Sequence, residues 1–191
     1  MIYHYFYKIK SIISSADSRV LYFGQVIMAS LVLATGAQIS ITLPMSVVPF
    51  TLQTEALILI SFIWGARVAA PAVLAYFIEG IMGLPVFAQG ACGIASFFLP
   101  SGGYLLGFLP AAWVMGTCAD RLWTKNIFSA MAAVLLGKMM IFSCGLLWLS
   151  LFIPANQLLN MGLYPFMADN LMQMAASGIM APVLCKKMKK S

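Results

Sequence analysis

Apolar runs of about 20 residues recur along the chain, the length a helix needs to cross a hydrocarbon layer of roughly 30 Å. Lys and Arg fall only in alternate gaps between these runs, with one exception at Lys138. With 62% hydrophobic and 8% charged residues, the chain has too little polar surface to cover a water-soluble globule. Its mean hydropathy of +0.96 agrees. Period-2 alternation of the kind that marks barrel strands is nowhere sustained. The expected fold is therefore an all-α integral membrane protein, a bundle of six transmembrane helices. At 191 residues it forms a single membrane domain, with no room for a large soluble module.

The positions of the charges orient the bundle. Lys8, Lys10 and Arg19 precede the first apolar run, Arg67 lies in the second gap, Arg121 and Lys125 lie in the fourth, and Lys186, Lys187, Lys189 and Lys190 follow the last run. Six crossings put all of these on one face, which the positive-inside rule makes cytoplasmic together with both termini. Residues 1–20, with Tyr3, Tyr5, Phe6 and Tyr7 beside lysines, read as an amphipathic interfacial segment. No cleaved signal peptide is expected. The tail 185–191 is a basic cytoplasmic end, suited to topology or anionic lipid rather than nucleic acid.

The spans are expected at about Leu21–Ile41, Phe50 or Thr54 to Gly65, Val68–Ile81, Gly103 to Asp120-Arg121, Ile127–Ile153 and Tyr164–Leu184. Pro44 and Pro49 stop the first helix, and Thr51, Gln53 and Thr54 offer hydrogen-bonding groups before a short second span. Short spans beside polar loops point to transporter sites. From Glu79 to Phe108 the chain reads EGIMGLPVFAQGACGIASFFLPSGGYLLGF, with no Lys, Arg or Asp. Its Gly and Pro punctuation rules out one continuous helix. A long turn-rich loop exposes backbone groups that must be buried in protein or face water. It is one wall of a binding cavity or an ordinary connector. Glu79, near the outer end of the third span, faces that cavity or the headgroups. Asp120 and Arg121 read as a solvated topological signal.

Lys138 sits about 17 Å from the inner end of the fifth span, near mid-bilayer. A central lysine costs on the order of 3 kcal/mol on insertion scales, so it faces a cavity or a partner. Asn170, Gln173 and Ser177 recur at i, i+3 and i+7, on one face of the sixth span, with Asp169 adjacent. Asn170 and Gln173 are assigned to the cavity and Ser177 to interhelical packing. Ser30 and Ala34 in the first span form a small-xxx-small pair that permits close helix approach, inside the bundle or towards another subunit.

Catalytic and nucleotide chemistry find no support. Gly137-Lys138 lacks the first Gly and the final Ser/Thr of a phosphate loop and follows no strand. The single His4 lies in the tail, and no nucleophile and base share a depth. Cys92, Cys118, Cys144 and Cys185 have neither metal-ligand nor disulfide-framework spacing. No enzyme activity, cofactor or metal is expected.

These segments together resemble the BioY family, the biotin-binding S components of energy-coupling-factor (ECF) vitamin transporters, over nearly the whole stretch from Gly36 to Gln173. GAQISITLP (Gly36–Pro44) and VPFTLQT (Val48–Thr54) are similar to the family's first outer loop. EGIMGLPVFAQG (Glu79–Gly90) and PSGGYLLGFLPAAWVMG (Pro100–Gly116) are similar to its central signature. WGAR (Trp64–Arg67) and GKMMIFSCGLLWL (Gly137–Leu149) resemble the second inner turn and fifth helix. The resemblance implies a six-helix bundle in a bacterial plasma membrane that captures biotin with high affinity from outside. It implies work with a coupling subunit and ATPase subunits in separate chains, or alone or as a homo-oligomer. Docking on the coupling subunit carries over to Ser30 and Ala34. The family's Pro-Phe-x-x-Gly-Asp-x-x-Lys pattern has become Pro165 to Gln173 here, with Asp169, Asn170 and Gln173 in place of Gly, Asp and Lys.

The ligand contacts expected on these grounds are Phe50, Thr51, Gln53, Glu79, Phe87 and Gln89 from the outer half of the bundle and its loops. Tyr104, Lys138, Asp169, Asn170 and Gln173 complete them. Phe50, Phe87 and Tyr104 are apolar walls. Lys138 supplies the charge missing at Gln173, or pairs with Glu79 or Asp169, or is neutral. An S component for another small vitamin and a non-transport scaffold subunit are the alternative functions.

Overall fold

The computed structural model describes residues 18–41, 47–121, 126–167, 170 and 173–175. The expectations for Asp169, Ser177, the segment 1–17, Pro44 and the tail 185–191 lie outside the described residues, as does most of the sixth span. The chain enters through α1 (Ser18–Gln38) and a two-residue strand β1 (Ser40–Ile41). Strand β2 (Phe50–Thr51) returns antiparallel to β1, with Ser40 opposite Thr51 and Ile41 opposite Phe50. Then come α2 (Gln53–Trp64), α3 (Ala66–Ile81), a linker with two short 3-10 turns, α4 (Gly102–Asp120), α5 (Ile127–Leu149) and α6 (Ala155–Gly162).

Among the described residues, α1, α4 and α5 are long and apolar enough to cross a membrane. The second and third spans are the short ones, the second as expected. Helix α2 has 12 residues and α3 has 16, about 18 and 24 Å at 1.5 Å per residue. The second is short because residues 47–52 fold inward as ribbon and cavity wall before the helix starts. The two are joined by Gly65 alone, at φ +69°, a left-handed conformation that suits glycine.

Helix α4 packs most intimately on α5, and glycines make this possible. A Cβ on Gly103 would lie 2.2 Å from that of Trp148, and one on Gly107 would lie 2.8 Å from the Ile141 Cα. Gly103 and Gly107 stand four apart on one helical face, the close-packing arrangement of apolar helices. Helix α1 lies against α3 and α2.

Two features differ from expectation at the helix ends. Asp120 is no mere solvated signal. Its Oδ2 accepts a 3.1 Å hydrogen bond from the Ala66 N–H, capping the first turn of α3, whose leading N–H groups have no partners within the helix. The chain also forms α6 after Pro154, between the expected fifth and sixth spans, and α5 stops at Leu149 rather than Ile153.

Ser30 and Ala34 point inward. Ser30 is 0% and Ala34 8% exposed, and Ser30 Oγ is 2.8 Å from Glu79 Oε1 on α3. In this bundle the small residues let α1 approach α3.

Candidate binding site

A cavity of about 430 Å³ opens at the end of the bundle that carries the ribbon and the linker 83–101. Its rim is built from residues 47–54 and 87–101, its walls from the first two turns of α4, and its floor from Lys138, Ile141 and Phe142 at mid-α5. The linker holds its irregular course through specific bonds. The Gln38 side-chain amide at the end of α1 donates to the Pro85 and Phe87 carbonyls at 3.1 and 3.3 Å. The Gly93 N–H donates to the Gly80 carbonyl at 2.7 Å, and the Trp148 indole donates to the Leu99 carbonyl at 3.0 Å.

The apolar walls are fixed by ring packing. Phe87 is 3% exposed and meets Tyr76 and Phe97 edge-on, with centroids 5.3 and 5.5 Å apart, an arrangement favoured by the ring quadrupoles. Tyr104 packs edge-on against Phe142 at 6.0 Å, and its hydroxyl donates to the Gly162 carbonyl of α6 at 2.9 Å. The phenol oxygen is thus satisfied on the far side and the ring serves as wall.

A polar chain runs beside this cluster. The Thr51 hydroxyl donates to Gln53 Oε1 at 3.2 Å. The Gln53 amide donates to the Tyr76 hydroxyl, which donates to the Val86 carbonyl at 3.1 Å. Ribbon, α2, α3 and linker are tied together through it. At the floor, Lys138 is 4% exposed and its Nζ donates to Asn170 Oδ1. Three residues on, the buried Gln173 donates from Nε2 to Glu55 Oε1 in the first turn of α2.

Of the anticipated contacts, Phe50, Thr51, Gln53 and Phe87 line the cavity, and so do Gln89, Tyr104, Lys138 and Asn170. Two others do not. Glu79 faces Ser30 between α3 and α1, because its position turns it to the side of α3 away from the cavity. Gln173 lies one helical turn from Asn170 and is engaged by Glu55. Sequence reasoning did not select Glu55, whose partner is 118 residues away. It also did not select Ser96, Ser101 and Phe142, which line the cavity too. A lone acid in the first turn of a short, otherwise apolar helix was the available signal for Glu55.

Comparison with known proteins adds a family. The sequence profile described as the BioY family matches residues 13–190. The chain belongs to the BioY family. Among its relatives, the "Probable biotin transporter BioY" of Rickettsia prowazekii (strain Madrid E) is 32% identical over 142 residues, 74% of this chain and 73% of the relative. The "Biotin transporter BioY" of Thermotoga maritima is 32% identical over 151 residues, covering 78% and 86%. A crystal structure described as the S-component for biotin from an ECF-type ABC transporter superposes with a TM-score of 0.79 at 24% identity, covering 90% of this chain and 94% of that one. At that identity the superposition establishes the fold, and the BioY fold accounts for a helical membrane bundle with a cavity at one end.

Proposed function

We propose that the chain is the biotin-capturing subunit of a vitamin transporter in a bacterial plasma membrane. The observation that carries this is the cavity: its volume of about 430 Å³ falls in the range of small-molecule sites. Its composition suits biotin, which presents a ureido ring needing donors and acceptors, an apolar ring and chain, and a carboxylate. Phe50, Phe87 and Tyr104 offer apolar walls, Thr51, Gln53 and Gln89 offer hydroxyl and amide groups, and Lys138 with Asn170 offers a polar floor. Family membership supports the same reading, since relatives across the family carry the name biotin transporter.

The chain has no nucleotide-binding motif, so concentrative uptake draws on a coupling subunit and ATPases in separate chains. Without them the protein supports solitary facilitated uptake. Binding of radiolabelled biotin to purified protein in detergent, challenged with a panel of unlabelled vitamins, tests the proposal. Saturable binding displaced by biotin alone is expected. Displacement by a different vitamin would reassign the substrate, and absence of binding to any of them would leave a scaffold role.

A further inference from the structure

The backbone behind the Phe87 wall is held at three consecutive carbonyls, by side chains from two different helices. Gln38 is the last residue of α1, and its side-chain amide donates to the Pro85 and Phe87 carbonyls at 3.1 and 3.3 Å. Between them, the Val86 carbonyl accepts from the Tyr76 hydroxyl of α3 at 3.1 Å. Phe87 has extended backbone, at φ −79° and ψ 169°, and along extended chain successive groups point to opposite sides. Residues 85–87 are therefore clamped, with α1 on one side and α3 on the other. An amide has two N–H donors to offer to carbonyls two residues apart, where a hydroxyl has one and a carboxylate none.

The same end of α1 braces the opposite wall. The Leu52 N–H donates to the Ile39 carbonyl at 3.1 Å, and the β1–β2 ladder sets Ile41 against Phe50. A Cβ on Gly36 would come within 2.8 Å of the Leu52 carbonyl oxygen. Yet no residue of α1 itself lines the cavity.

We infer that Gln38 is a positioning residue for the ligand, acting from outside the cavity by fixing where the Phe87 wall stands relative to the ribbon wall. The inference rests on the biotin reading above and deepens it, since it assigns the width of the slot for the ligand's apolar part to the end of α1. Without the Gln38 donors, the Tyr76 bond and the ring contacts with Tyr76 and Phe97 remain. The linker stays folded while its α1 side is released, so ligand affinity falls more than ligand-free stability does.

Biotin affinity and the ligand-free thermal midpoint of purified variants in detergent test this. Gln38→Met keeps the length of the side chain and removes its donors, and the usual net value of two hydrogen bonds predicts about tenfold weaker binding. Gln38→Glu, of the same shape but turning acceptors towards the carbonyls, should fall at least as far. Gln38→Arg, which restores N–H donors, should recover to within about threefold of the parent. A double-mutant cycle with Phe87→Leu gives the sharpest comparison. In that background Gln38→Met should lose little further affinity, because both changes act through one residue. Effects that simply add in the double variant overturn the inference while leaving the biotin reading intact, and so does a Gln38→Met protein that binds biotin as tightly as the parent. Affinity that merely follows the thermal midpoint across the series, with no rescue by arginine, also overturns it, since a purely structural residue would behave so. Should Phe87→Leu bind too weakly to complete the cycle, the arginine rescue decides alone. A parent that binds no biotin removes the biotin reading and this inference together.

Discussion

At the scale of single residues, the cavity depends on two positions where backbone and side chain compete. Gly80 lies within α3, where alanine would ordinarily add up to about 1 kcal/mol of helix stability. A Cβ there would sit 2.0 Å from the Phe87 ring, which is clamped edge-on between Tyr76 and Phe97. Overpacking of this kind costs about 1 to 3 kcal/mol, so the clash wins. Gly80→Ala should lower the thermal midpoint in detergent and weaken biotin binding, because the ring it displaces is a cavity wall. Gln89 presents the opposite case. It is a non-glycine residue at φ +60°, in a conformation that costs about 1 to 2 kcal/mol, and it lines the cavity. Gln89→Gly relieves that strain but restores about 0.5 to 1 kcal/mol of glycine's conformational entropy cost. Thermal stability should rise slightly while ligand affinity falls. An affinity that does not fall would mean that the amide has no part in binding.

At the scale of elements, much was legible because apolar runs bounded by charge and proline are a strong signal for spanning helices. The starts of α2, α3, α4 and α5 lie within a few residues of their expected positions. The inward or outward sense of a face was not legible. On α1, exposed Met28 and Leu31 are as apolar as buried Ala29 and Leu33, because lipid is as apolar as the core and leaves no contrast to read. For that reason Ser30 and Ala34 read equally as an internal face or as one towards another subunit, and the hydrogen bond to Glu79 that faces Ser30 inward comes from a helix far along the chain. Leucine at both positions should therefore destabilise the bundle itself, by roughly 1 to 3 kcal/mol per site, and ligand binding should fall with it. A double variant of parental thermal stability that lost only association with other subunits would restore the docking role. The Asp120 cap was hidden for a related reason, since its partner, the Ala66 N–H, lies 54 residues back. Asp120→Ala should cost about 0.5 to 1 kcal/mol, the usual effect of losing a cap, and Asp120→Asn should keep most of the stability. Thermal unfolding in detergent compares the two.

At the scale of the whole molecule, chemistry is segregated along the bundle. The mouth of the cavity, the ribbon and the linker 83–101 share one end, and neither ribbon nor linker contains Lys or Arg, the cavity's lysine, Lys138, lying at its floor. The opposite end holds the Gly65 turn, the Asp120 cap, Arg67 and Arg121. The cationic ends of membrane proteins stay in the cytoplasm, so the proposed capture of ligand from outside predicts that the cavity opens outward. Native cysteines let this be measured. Cys92 is exposed on the linker beside the cavity, whereas Cys118 is buried and Cys144 half-buried within helices. A variant retaining Cys92 as its only cysteine should react with a membrane-impermeant maleimide on intact cells. A cysteine-free variant carrying Arg121→Cys, placed at the exposed opposite end, should react only after the cells are permeabilised. The reversed pattern would place the cavity in the cytoplasm, where capture from outside is impossible and the lysine distribution would need another cause. Reaction of both sites on intact cells would mean that the two ends do not lie on opposite sides of the membrane. Reaction of Cys92 alone would fix the direction of capture, from the outer end that carries the ribbon and linker down towards the floor at mid-α5.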